Sequence, residues 1–135
     1  MDAPAPALYR WLCQLRVGPY SYDKLDNRGR RSPQTLTPGV EELEAGQRVM
    51  TIFKLVEYES DRSITLFSSG RIFGRVACTY RVEPLGPARS RLLVKMLAAY
   101  TRPGGRLMRL ILPPGDLVMM RRQLINLKAL AEANA

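Results

Sequence analysis

The chain has 135 residues, 46% hydrophobic and 24% charged, which fits one globular domain with one core and leaves no low-complexity linker. It contains no histidine, so a Ser-His-Asp triad, a Cys-His dyad and a histidine metal site are all excluded. Acid–base chemistry is left to Asp, Glu, Tyr, Lys or an ordered water.

The formal charge of +9 falls wholly on residues 46–135, where fifteen basic side chains stand against six acidic ones. Residues 1–45 carry six of each. Arg62, Arg71, Arg75, Arg81, Arg89 and Arg91 are scattered, with no aromatic-interleaved stripe, which disfavours nucleic acid as a partner. A solvated arginine-rich surface or transient contact with an anionic membrane fits better. No apolar run approaches the length of a bilayer span, and Met1–Pro6 lacks the pattern of a signal peptide, so a cytoplasmic protein is expected. Cys13 and Cys78 have no metal-ligand or redox spacing and read as buried free thiols. No metal and no cofactor is expected.

In chain order, Leu8, Trp11, Leu12 and Leu15 recur at helical spacing, which predicts a helix over Pro6–Leu15 that Gly18-Pro19 stops. Tyr20–Leu25 reads as a short helix or turn, followed by a polar loop to Pro38 and another turn near Val40–Leu43. Sheet begins near Gln47 with a β-rich strand over Val49–Val56, continuing through Tyr58. Ser63–Ser68 is the next strand, with Ile64 and Leu66 on one face and Thr65 and Phe67 on the other. Over Arg71–Glu83, Val76, Cys78, Tyr80 and Val82 alternate with Arg75, Ala77, Thr79 and Arg81, the pattern of an antiparallel strand buried on one side. Pro84–Pro87 turns the chain into a last strand, Arg91–Thr101. Leu107–Leu112 is helical, Pro113-Pro114-Gly115 predicts an interruption, and Asp116 suits the start of a helix over Leu117–Ala131. Its expected apolar stripe is Leu117, Met120, Leu124, Leu127 and Ala131, with Arg122, Gln123, Asn126 and Lys128 largely off it. The fold class is α+β, in a single domain over residues 1–135.

Three segments carry a family likeness: Trp11-Leu12-Cys13-Gln14-Leu15, Tyr20–Pro33, and Gly115–Gln123. With the order helix, sheet, long helix, the chain resembles the START-like helix-grip superfamily. Within it, the chain is most similar to SRPBCC proteins of the polyketide cyclase/dehydrase and lipid transport family, in a bacterial subfamily with no assigned function. The resemblance implies a curved antiparallel sheet wrapped around a long C-terminal helix, with an apolar cavity between them. Such proteins usually begin with a strand, whereas this chain opens almost directly on a helix. Either a strand lies upstream of Met1 or the sheet lacks its first strand. The second alternative leaves an edge that pairs in a homodimer or is blocked by local structure.

Candidate ligand-binding residues follow: Tyr20, Tyr22, Met50, Ile52, Phe67, Tyr80, Met96, Tyr100, Met119 and Met120, with Cys78 on the same inward face. An ordinary filled core explains each of them equally well, and the resemblance favours a cavity. Tyr20, Tyr22, Asp23 and Asp26 form the densest polar cluster, and Asp26 and Tyr22 are the candidate proton carriers. The structural alternative pairs Asp26 with Arg30 or Arg31 and folds Asn27-Arg28-Gly29 into a turn. Arg106, Arg109, Arg121 and Arg122 flank the proline pair as candidate contacts for an anion or a membrane surface. The expected function is binding or transport of a small hydrophobic ligand. The alternatives are a cyclase or dehydratase using Asp and Tyr, and a basic surface module.

Overall fold

Pro4 ends in extended backbone, and its carbonyl accepts the Leu8 N–H at 3.1 Å, which opens the first helix. The computed structural model describes residues 1–70, 74–99 and 105–135, without the side chains at 106, 108, 109, 111 and 112. Helix α1 (Ala5–Cys13) buries Leu8, Trp11 and Leu12, as the helical spacing predicts, and tightens into a single 3-10 turn at Gln14–Arg16. Gly18 follows where the chain passes against Ser32. A Cβ at Gly18 would stand 2.6 Å from the Ser32 Oγ, so no other residue fits without moving that loop. A one-turn helix, α2 (Asp23–Asp26), comes next.

Five strands then run as an antiparallel meander in the order β1-β2-β3-β4-β5: Arg48–Val49, Phe53–Glu59, Ser63–Gly70, Gly74–Gly86 and Arg89–Ala99. A long helix, α3 (Gly105–Ala133), closes the chain. The core lies between one sheet face and the helices. Leu55, Ile64, Leu66, Cys78, Tyr80, Val82 and Leu92 meet Leu8, Trp11, Leu12 and Leu15 from the N-terminal segment and Leu127 and Ala131 from α3. The architecture is α+β, with an open antiparallel sheet and a C-terminal helix. Among the described residues, no helix is long and apolar enough to cross a membrane.

The structure departs from the sequence expectations at several points. The β-rich run Val49–Val56 is not one strand but a hairpin, with Val49 opposite Phe53. Its turn puts Met50 (φ 47°) and Thr51 (φ 68°) in left-handed backbone, a conformation costing about 1–3 kcal/mol for such residues. Tertiary bonds hold it: the Met50 N–H donates to the Leu15 carbonyl at 3.1 Å, and the Ile52 N–H returns to the Met50 carbonyl at 2.7 Å. Strand β4 runs on through Pro84 to Gly86 by way of a bulge, which moves the expected turn at Pro84–Pro87 to Pro87-Ala88. The start of that strand at Arg71 lies outside the described residues, as do Tyr100 and Thr101.

Pro113 and Pro114 do not interrupt α3, which passes through both. Proline's fixed φ is helical, so the cost is confined to two missing N–H donors and local crowding. Asp116 consequently sits within the helix and does not cap one. Leu117 leaves the expected stripe and is 70% exposed, while Gln123 is buried at 4%. The face of α3 that meets the protein is therefore rotated from the one that hydropathy alone selects.

Strands β1 and β5 are the outermost strands. At the start of β5 the Met1 ammonium donates to the Ser90 carbonyl at 2.9 Å, and the Ser90 N–H returns to the Met1 carbonyl at 3.1 Å. The Ser90 hydroxyl also donates to the Ala3 carbonyl at 2.7 Å. Local structure therefore covers this edge at Ser90.

Candidate functional site

Helical and strand periodicities converge on one cavity. Asp116, Met119, Met120 and Gln123 recur every three or four residues along α3 and share a face. Opposite them, Val76, Cys78 and Tyr80 alternate along β4, with Ser68 of β3 beside Val76 and Met96 of β5 beside Cys78. The Met50–Ile52 turn and the segment from Pro19 to Arg28 complete the wall, the latter through Ser21, Leu25 and Asp26. The space is about 430 Å³ and partly open to solvent beside the exposed Leu25 and Ile52, within the roughly 300–1,000 Å³ typical of small-molecule sites.

Polar side chains are a minority of the wall, and those of Ser21, Tyr80 and Gln123 are engaged with protein partners. The Tyr80 hydroxyl donates to Gln123 Oε1 at 2.7 Å, and Gln123 Nε2 donates to the Pro19 carbonyl at 2.6 Å and contacts the Met50 sulfur at 3.0 Å. This relay ties β4 to α3 and to the loop ahead of α2. Burial pushes the Tyr80 phenol well above its ordinary pKa. Asp26 differs. Its Oδ2 accepts the Ser21 hydroxyl in a short hydrogen bond, whereas its Oδ1 is buried with no partner among the described residues. Asp116 lines the same cavity, and burial raises its carboxyl above the usual range. The site thus offers a mostly apolar wall with three ionisable side chains in it, Asp26, Arg28 and Asp116.

The structure sorts the sequence candidates clearly. Met50, Ile52, Tyr80, Met96, Met119 and Met120 all line the cavity. Phe67 does not, because inward positions on β3 are Ile64, Leu66 and Ser68, and strand alternation turns Phe67 to the other face. Tyr22 is 40% exposed and lines neither this cavity nor the cleft beside it, so it is not brought to the site. Tyr20 is buried, but its hydroxyl is already used. It donates to the Pro33 carbonyl at 2.6 Å and accepts from Gln14 Nε2 at 3.0 Å. Burial lifts this phenol to about 12, with the Gln14 bond opposing the shift. Tyr20 instead borders a neighbouring polar cleft. Tyr100 and the Arg106 and Arg109 side chains lie outside the described residues. Asp26 forms no ion pair with Arg30 or Arg31, and its partners are Ser21 and the Tyr22 N–H. Sequence reasoning missed Ser68, Asp116 and Gln123 as wall residues. For Gln123, only its spacing from Asp116, Met119 and Met120 signals the shared face.

The two thiols are chemically quiet. Burial pushes Cys13 up to about 12 and Cys78 up to about 11. On the order of one thiol in a thousand or fewer is then ionised at neutral pH. Ellman's reagent should therefore react slowly with the folded protein and release two equivalents at once in denaturant. Stoichiometric reaction of the native protein within seconds would contradict this burial. Among the described residues, no group of three or more Cys, Asp or Glu side chains is placed to hold a metal ion.

No protein-family model, curated protein or solved structure matches the chain.

Proposed function

We propose that the protein binds a small apolar molecule, of the lipid, polyketide or isoprenoid kind, in the cavity between α3 and the sheet. One observation carries the reading: a largely apolar space of about 430 Å³ stays open between α3 and the sheet where a filled core would close it. Burial of apolar ligand surface, at roughly 25 cal/mol per Å², supplies affinity. The carboxylates of the wall, Asp26 and Asp116, give a ligand hydroxyl or amine a polar partner that supplies orientation. Methionines at 50, 96, 119 and 120 give a wall that adjusts to shape. The arrangement of long helix over antiparallel sheet supports a helix-grip relationship.

The test is a titration with the neutral fluorophore N-phenyl-1-naphthylamine. The wild-type protein should enhance its emission saturably, and Met96→Arg, which places a charge in the cavity at a half-exposed position, should weaken binding at least about tenfold, since an unpaired charge in an apolar site costs several kcal/mol. No saturable enhancement, or equal binding by the variant, would sink the proposal.

A second reading, proton transfer on a bound polyketide chain, is favoured by two carboxylates lining one cavity, Asp26 and Asp116, the second raised by burial. An Asp26→Asn protein that keeps fluorophore affinity but loses turnover of a poly-β-ketone would establish it. Equal turnover by the variant would remove Asp26 from any chemistry.

A further inference from the structure

The Tyr20-Ser21 segment is a strut with a cavity on each side. Ser21 borders both the apolar cavity and a separate polar cleft of about 260 Å³. We propose that this second cleft is an oxyanion site, taking a phosphate or carboxylate group at Arg31 and Arg122.

The cleft gathers the two sequence segments singled out above that lie nearly a hundred residues apart. Arg31 comes from the end of the Tyr20–Pro33 segment, and Arg122 from α3. Neither forms an ion pair among the described residues, and both exposed side chains line the same cleft. The ionisable lining is two arginines and one aspartate, a formal balance of +1. That aspartate is already committed. Asp23 Oδ2 accepts the Ser32 N–H at 2.7 Å, and its Oδ1 accepts the Ser32 hydroxyl at 2.5 Å. These bonds fix the loop and occupy the carboxylate face that would otherwise attract a guanidinium.

The neighbouring amides are held in place in the same way. Asn126 Nδ2 donates to the Tyr20 carbonyl at 2.8 Å, and Gln34 Nε2 donates to the Ser32 carbonyl at 2.9 Å. Each amide nitrogen has a second N–H left for an anion. Forked, permanently charged donors suit the two or three oxygens of a phosphate or carboxylate. The overall +9 charge draws anions toward such a site.

The oxyanion has two possible sources. It is a free anion, or it is the polar end of the ligand whose apolar part fills the first cavity; only the second source rests on the proposed function. Calorimetric titration with inorganic phosphate, decyl phosphate and decanol separates them, using the wild type and an Arg31→Gln/Arg122→Gln variant. The expected result is that decyl phosphate binds at least about tenfold more tightly than decanol, the return for one or two charged hydrogen bonds. The variant should lose that preference and keep its decanol affinity. Arginine-dependent binding of inorganic phosphate, with no decanol binding, would leave the oxyanion site standing with a free anion as its source, and would remove the apolar-ligand reading. Failure of the arginine pair to affect either phosphate compound would overturn the oxyanion site and leave the apolar cavity to be judged by decanol alone.

Discussion

Replacing Gln123 by leucine will destabilise the protein by about 1–3 kcal/mol for each buried partner it abandons. Two are abandoned: the Tyr80 hydroxyl loses its acceptor at 2.7 Å, and the Pro19 carbonyl loses its donor at 2.6 Å. The hydroxyl is left with sulfur partners, Met120 at 3.8 Å and the neighbouring Cys78, both weak acceptors. Leucine matches glutamine in size, so the loss is polar and leaves little void. A second substitution makes the argument specific. Adding Tyr80→Phe removes one orphan, and the double variant should regain part of the loss, because deleting both partners of a buried hydrogen bond is close to neutral. Urea unfolding of the wild type, both single variants and the double variant gives the coupling. A double variant less stable than Gln123→Leu alone would refute the relay. The same relay holds Pro19 against α3, so fluorophore affinity should fall with the single variant.

Trp11→Ala should cost about 3–5 kcal/mol, a large part of the roughly 5–15 kcal/mol that holds a domain together. Trp11 is 1% exposed and meets Tyr20 edge-to-face, with ring centroids 6.4 Å apart and planes at 86°. Its loss removes the support beneath the strut between the two cavities. Trp11→Phe should recover more than half of the stability, because the indole N–H is buried without a partner among the described residues and contributes no hydrogen bond. A loss of unfolding free energy of less than about 1 kcal/mol in urea for Trp11→Ala would show that the core does not depend on this ring.

Much of the frame was legible because it rests on local periodicity. The 3.6-residue spacing of Leu8, Trp11, Leu12 and Leu15 marks the first helix, and the two-residue alternation of Val76, Cys78, Tyr80 and Val82 marks the central strand and its buried face. Tyr80 and Met96 were visible as inward strand positions for the same reason, whereas Met50 and Ile52 were named from a strand that proved to be a turn. What was hidden depends on partners far away in the chain. The turn at Met50-Thr51 contains no glycine, proline, asparagine or aspartate, and it exists because Leu15 supplies an acceptor thirty-five positions earlier. Gln123 reads as a solvent residue until Tyr80 and Pro19 are placed beside it. Tyr20 reads as an available phenol until Gln14 and Pro33 claim it. Phe67 was the avoidable error, since strand alternation had already set it opposite Leu66.

The walls of the cavity come from opposite ends of the chain. Gln123 reaches back 104 positions to Pro19, and Asn126 reaches 106 to Tyr20. As the chain leaves the ribosome, the sheet can be complete while the cavity still lacks its roof, because α3 is made after every strand. Nascent protein therefore exposes the inward methionine, cysteine and tyrosine of the sheet until synthesis passes Gln123, and those contacts close late because of their long sequence separation. Under the proposed function, ligand loading waits for α3 to pack, and the interval before that is when the exposed sheet face is most vulnerable to aggregation.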